Sequence, residues 1–585
     1  GGGGDMLPAN REGQLLDYNR LHDELGQALL ALKKKNPAQV AKFQEFGALP
    51  VEQEPNSGIK MFTLLNGIGV NFKRFSSGKS RTPTGSNGTV IMEIVSLGGR
   101  SAESPEAKGS CDVASMDVEE LVAVEYSTTG DLKVDKEFFP SKIAARAALF
   151  RSGDNLNPAD RVGRPGPPSG PKIYCDQEFL RIKATISSEC ISNGVDTAPY
   201  PCDTDERPRD QLMGLLGDMR LKMAPMFSTH SIRLAYSTFL RHKMAVRRSN
   251  SPRDIMRANA ISSILQKQFP SDPRVRPLEA TDIVSLNPEI VSRWVREQFN
   301  PDRIEINVVG DIQEKDLLMS LQPIFGTLPL QKAKNKVGYD VYSNSDVKHF
   351  SRTWPTEEIK LGCHLFADNV NRAFPLLLVP AQDGISFRGG EMRAVVTNML
   401  EKQLWKNLRM DEGLTYFVNK ASFHSVLFPG FGYRAVDWGS GKYRQRDAST
   451  DPLNVLFSIG KAKEAMGKDR VLPKEMFERV MKTVLGYYNT NLQNADSWLG
   501  ILRGMALRLP NSFKLNGLSE PTLKDIDEGA VLEGLKSVTY AKYKEWMGAH
   551  VPDKTAEGST FLIETVGLAS DAQYAETKGS DCDKL

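Results

Sequence analysis

The sequence predicts an α+β protein built of two similar domains in tandem, each a mostly antiparallel sheet packed against helices. Three observations predict it. The chain has 585 residues, too long for one hydrophobic core. Short apolar runs with strand character alternate with longer stretches whose apolar residues recur at helical spacing. A helix-then-strand phrase also occurs twice, roughly 250 residues apart. Asn287-Pro288 opens a helix carrying Trp294 ahead of Ile304 to Gly310, and Thr539 opens one carrying Trp546 ahead of Phe561 to Gly567. A period that long marks duplicated domains rather than a solenoid.

Composition narrows the class. Hydrophobic residues make up 40% and charged residues 25%, ordinary for a globular chain. Lys and Arg number 75 against 72 acidic residues, a net charge of +3 that argues for neither nucleic acid nor a membrane surface. No run of about 18 apolar residues is present to span a bilayer. The six cysteines, Cys111, Cys175, Cys190, Cys202, Cys363 and Cys582, are scattered without a CxxC, which is no disulfide framework and favours a reducing compartment. The chain opens on four glycines and Asp5 without an initiator Met, so a targeting segment is expected to be missing from what is read.

Taken in order, residues 10 to 36 read as a polar helix ending at Lys33-Lys34-Lys35 before Pro37, and residues 1–57 as a whole as an N-terminal helix and hinge arm. The first domain, 58–330, begins with strands at Leu64 to Phe72 and Val90 to Val95. Between them lies a basic Ser/Thr/Gly loop. Its Ser77-Gly78-Lys79-Ser80 has Lys73 where a phosphate loop needs its first glycine, so that motif fails. Residues 152 to 171 form a Gly/Pro/Asn/Arg-rich insertion, and helices follow near 207 to 226, 228 to 247 and 252 to 268. Asn287 is a capping side chain with Pro288 at the first helical position. Residues 331–357 read as a linker, 358–570 as the second domain, with helices near 452 to 467, 473 to 489 and 494 to 508, and 571–585 as a polar tail.

The stretch from Leu404 to Val418 carries the chemistry. An apolar face of Met392, Val395, Val396, Met399, Leu404 and Leu408 defines a helix from about Gly390. Gly413 makes a tight turn, and Thr415 to Val418 favour strand. Arg409 leaves the helix end and Tyr416 sits on the outgoing strand. Two readings stand. Arg409 caps the last helical carbonyls and Tyr416 is core, or the two donate hydrogen bonds to one peptide carbonyl without help from a metal.

Several phrases together resemble the pitrilysin/insulinase family of zinc metallopeptidases. They are Leu65 to Val70, Gly98 to Ser104, Val308-Val309-Gly310-Asp311, Phe325-Gly326-Thr327-Leu328-Pro329, and Leu408-Arg409 through Gly413-Leu414-Thr415-Tyr416. Asn494 to Gly500 and the approach Ser57-Gly58-Ile59 are most similar to the chloroplast stromal-processing branch. The resemblance covers about residues 55 to 570 and implies the half of such an enzyme that lacks zinc. The family motif is His-x-x-Glu-His, because two imidazoles one helical turn apart face one metal. The seven histidines here are His22, His230, His242, His349, His364, His424 and His550, and no two have that spacing. After Gly109, where the motif would fall, the chain reads Asp112-Val113-Ala114-Ser115-Met116. The resemblance therefore implies no catalytic or metal residues and no cofactor in this chain, and substrate-binding roles for Arg409 and Tyr416. It also implies a zinc-motif-bearing partner chain, unfolded targeting peptides as substrate, no nucleic acid, and a place in the chloroplast stroma or, alternatively, the mitochondrial matrix. A peptidase-like scaffold subunit of an organellar complex is the rival expectation.

Overall fold

The computed structural model describes residues 18–35, 37, 49–53, 58–75, 89–117, 171–176, 179–187, 208–248, 276, 278–301, 303–328, 360–367, 376–380, 390–413, 415, 418–424, 432–438, 461, 471–505, 535–550 and 561–568. It divides into two compact units. The first comprises Gly1–Ser237, Leu278–Tyr342 and Thr490–Asp527, the second Thr238–Pro277, Ser343–Asn489 and Glu528–Leu585. The insertion, the helices expected near 252 to 268, the linker and the tail lie outside the described residues.

The first unit holds a seven-stranded sheet of β1 (Leu49–Gln53), β2 (Ile59–Thr63), β3 (Gly69–Arg74), β4 (Thr89–Leu97), β5 (Lys172–Cys175), β6 (Phe179–Ser187) and β7 (Ile304–Gly310), in the order β1-β2-β3-β7-β4-β6-β5. The second holds five strands, β8 (Lys360–Ala367), β9 (Leu376–Pro380), β10 (Val418–His424), β11 (Gly432–Trp438) and β12 (Phe561–Leu568), in the order β10-β11-β9-β12-β8. The two sheets repeat one topology. β7 lies parallel to β3 and antiparallel to β4, as β12 lies parallel to β8 and antiparallel to β9. Beyond that core, β6 and β5 add as a hairpin beside β4, as β11 and β10 do beside β9. The duplication expected from the two Trp-containing phrases is therefore present in strand order as well as in sequence. Its chemistry is kept too. Asn287 Oδ1 accepts from the Glu289 amide at 2.8 Å, and Thr539 Oγ1 accepts from the Lys542 amide at 3.3 Å, each relieving an orphan donor at a helix start.

One sequence expectation is corrected here. The strand read from Leu64 to Phe72 is a turn over residues 64–68, which joins β2 to β3, and only its second half, from Gly69, is strand. Gly67 adopts φ +94°, its amide bonds the Leu64 carbonyl at 2.9 Å, and the Leu64 amide returns to the Ile68 carbonyl at 2.8 Å. The apolar run masks the turn because Leu64 and Ile68 are themselves core, at 1% and 0% exposure. Upstream, β1 falls within the stretch read as an arm and pairs with β2.

The two faces of the first sheet differ. Helices Pro208–Lys222, Pro288–Gln298 and Glu314–Phe325 belong to the same half of the sequence and supply Leu216, Val291, Val295, Leu317 and Leu321 to the core with Val70, Ile94 and Val308. The other face carries Asn71, Glu93, Glu305 and Asn307, all buried. That face is covered by helix Ala495–Met505, which arrives from the far half of the sequence. Its Trp498, Leu499 and Leu502 pack on Ile59, Met61, Ile91 and Val309. Arg503 donates to Glu93 at 2.8 Å, Arg181 donates to the same carboxylate at 3.2 Å, and Lys73 stands 4.5 Å over the Trp498 ring. Asn71 donates to Glu305 at 3.0 Å and Asn307 at 2.9 Å. Polar groups on a buried face are tolerable when so paired.

Candidate functional site

The residues singled out from the sequence fall at two places, which occupy equivalent positions in the repeat. Helix Ser110–Ser115 follows the second core strand of the first unit, and helix Gly390–Leu404 follows the second core strand of the second.

The first is where the sequence resemblance would put a zinc motif. Gly109 caps the short helix at φ +96°, a left-handed backbone for which Gly is suited, and an added Cβ would lie 3.0 Å from Leu278 Cδ1. On the turn before it, Arg100 grips Asp112 with two hydrogen bonds of 2.8 and 2.6 Å. Burial works against the Arg100 charge, but the hydrogen bonds and charge of Asp112 outweigh it, holding the guanidinium above its ordinary pKa. Glu103, 2% exposed, accepts from the Cys111 amide at 2.8 Å. Burial, aided by the charge of Asp112, pushes its carboxyl up to about 7, against the pull of the Cys111 and Gly109 amides. Ser115 turns its hydroxyl back to the Asp112 carbonyl at 2.7 Å. Cys111 and Cys175 form a disulfide, with Cα atoms 5.5 Å apart. The sequence resemblance would set Asp112, Ser115 and Met116 in the places of the motif's two imidazoles and its glutamate. That donor set does not fit zinc, since its one carboxylate is already bonded to Arg100. Among the described residues no group of three His, Cys, Asp or Glu side chains is placed to hold a metal.

Sequence spacing missed the Cys111–Cys175 pairing. Their separation of 64 residues gives no signal, and only the approach of β5 to the short helix brings them together.

At the second place the expected helix, turn and strand are present. Helix Gly390–Leu404 buries Val395, Val396, Met399, Leu400 and Leu404 against Phe477, Val480 and Tyr543. It then widens into a π-helix, Trp405–Asp411, with the Glu412 amide reaching back to the Asn407 carbonyl at 3.2 Å. Single π turns inside α-helices concentrate at functional sites. Leu408 stays fully buried while Met410 is 61% exposed, so the widened turn crosses from core to surface. Arg409 lies at that crossing. Its guanidinium carbon is 5.5 Å from the Trp405 ring centre, and Lys402 flanks the same ring at 5.7 Å. Gly413, at φ +65°, closes the element with its amide on the Arg409 carbonyl at 3.2 Å. Lys461 pairs with Glu412 at 3.0 Å, steadying the turn. Tyr416 lies outside the described residues. β10 begins at Val418, later than the Thr415 read from propensity.

No family model matches the chain, and no curated protein does. Solved structures match in fold. The inactive domain of a peptidase M16 from Pseudomonas fluorescens superposes with a TM-score of 0.58 at 11% identity, over 87% of this chain and 98% of that one. The periplasmic protease PqqL from Escherichia coli gives 0.54 at 10% identity, over 92% of this chain and 51% of that one, so this chain spans about half its length. A chain of complex III2 from Candida albicans gives 0.53 at 11% identity, over 88% and 97%. The shared feature is the fold: the α+β architecture of M16-type peptidase domains.

Proposed function

We propose that this chain is the non-catalytic half of a zinc metalloendopeptidase of the stromal-processing type. It closes the chamber over a partner chain that bears the zinc motif, and holds an extended targeting peptide there. Arg409 and Tyr416 donate hydrogen bonds to the peptide backbone near the scissile bond, the Arg bond being charge-assisted and the stronger. Zinc, supplied by the partner, provides the Lewis acid and the activated water. The site of action is the chloroplast stroma, with the mitochondrial matrix as alternative. One observation carries the reading. At equivalent points of the repeat, the would-be metal position is occupied by an Arg100–Asp112 ion pair, whereas Arg409 stands at the surface end of an irregular turn. The fold likeness to an M16 domain described as inactive supports a chain without its own chemistry.

The test is purification of the chain from its source, identification of the chain that comes with it, and peptide hydrolysis by the reconstituted assembly. The reading expects a zinc-motif partner and activity only for the pair. It also expects a loss of about 10² in kcat/KM for Arg409→Ala. A second reading, a structural subunit of an organellar complex, is favoured by the likeness to a chain of complex III2. Recovery in a membrane complex with Arg409→Ala and Tyr416→Phe harmless would establish it instead.

A further inference from the structure

The Cys111–Cys175 bond differs on its two sides. Cys111 is fully buried, in the first turn of the Ser110–Ser115 helix. Cys175 is half-buried and lines a cavity of about 300 Å³ together with Ser115, Asp117, Lys172, Ile173 and Tyr174. Cys175 is therefore the side of the bond nearer solvent, beside a space large enough for a small thiol, whereas Cys111 is shut in. Asp117 is held by Lys222.

The strand bearing Cys175 is also weakly held. Among the described residues β5 is the outer strand of the sheet and pairs only with β6, over four residues. Ile173 and Cys175 share a face by strand alternation, and the disulfide is the covalent tie between that face and the helix. The turn that follows is anchored independently. Asp176 accepts from the Phe179 amide at 2.7 Å and from Arg181 at 3.2 Å, and its carbonyl accepts from the Arg100 amide at 3.0 Å. Breaking the disulfide thus removes the covalent tie between β5 and the helix and leaves them held by packing alone, while the turn stays in place.

We infer that Cys111–Cys175 is a reversible exchange site for a dithiol reductant, entered through the cavity at Cys175. The attacking thiolate bonds Cys175 Sγ, the Cys175–Cys111 bond breaks, and Cys111 leaves as a thiolate that takes up a proton. The second thiol of the reductant then displaces Cys175. Two electrons pass to the protein, and the dithiol ends as its cyclic disulfide. Reduction loosens β5 and the Ser110–Ser115 helix and leaves the second unit as it was. The inference does not depend on a peptidase role.

The experiment uses the full chain without denaturant. It is treated with dithiothreitol, alkylated, and mapped by peptide mass spectrometry, with hydrogen exchange before and after. The expected result is alkylation of both cysteines in the native state, with faster exchange confined to residues 110–115 and 172–175. In the Cys111→Ser variant, Cys175 should react with an aromatic disulfide at least about tenfold faster than Cys111 does in Cys175→Ser. A bond that survives the reductant until the protein is unfolded overturns the inference. So does finding both residues as thiols in protein held under oxidised glutathione, or finding Cys111 the faster of the two.

Discussion

Arg100 and Asp112 form a paired ion contact, Nε to Oδ2 at 2.8 Å and Nη2 to Oδ1 at 2.6 Å, tying the Gly99–Ala102 turn to helix Ser110–Ser115. The pair is structural. Asp112→Ala leaves a partly buried cation without this carboxylate and is expected to cost about 1–2 kcal/mol, discounted because Arg100 retains solvent contact. Urea unfolding of the variant checks it, and Asp112→His should bind no zinc on isothermal titration.

Glu103 makes the first unit sensitive to pH. Its carboxyl is raised by burial from 4.5 to about 7. The folded state therefore keeps a proton that the unfolded state has released. The stability it contributes is complete below about 4.5 and is lost as pH rises through about 7. Urea unfolding at about pH 5 and about pH 8 should show the loss, up to about 3 kcal/mol. Glu103→Gln should flatten the slope. A slope unchanged by that substitution would place the titration elsewhere.

Trp498 ties sequence from the second half to the first sheet. It is 2% exposed, donates to the Leu492 carbonyl at 2.9 Å, and packs with Leu499 and Leu502 on the β-sheet. Trp498→Ala is expected to cost about 3–5 kcal/mol. Hydrogen exchange should quicken in β3, β4 and β7, strands nearly 200 residues or more distant in sequence, rather than in helix Lys474–Asn491 beside it in the chain.

Asn287 carries a smaller and cleaner test. Asn287→Ala removes the side-chain acceptor of the Glu289 amide and is expected to cost about 1 kcal/mol, with Asn287→Ser costing less. Thermal or urea unfolding measures both.

Much of this was legible because local chemistry and global topology agree. The Asn287-Pro288 cap, the buried strand Ile304–Gly310, and the Gly413 turn each announce themselves within a few residues. The hairpin at Gly67 did not, because core residues flank its turn on both sides. Nor did the cover over Glu93 and Asn307. Ile304-Glu305-Ile306-Asn307 alternates like a strand with one wet face, yet that face is dry because helix Ala495–Met505 lies on it, and no local pattern announces a partner so distant in sequence. At the candidate site, Arg409 was legible from the helix-turn-strand phrase. The π-helix beneath it and the Trp405 ring beside it were not, since a periodicity of apolar residues does not distinguish an α turn from a widened one.

The most direct measurement is the zinc content and peptidase activity of the homogeneous chain by itself. The account expects no bound zinc above background and no hydrolysis of extended peptides. Stoichiometric zinc with chelator-sensitive cleavage by the lone chain would contradict it.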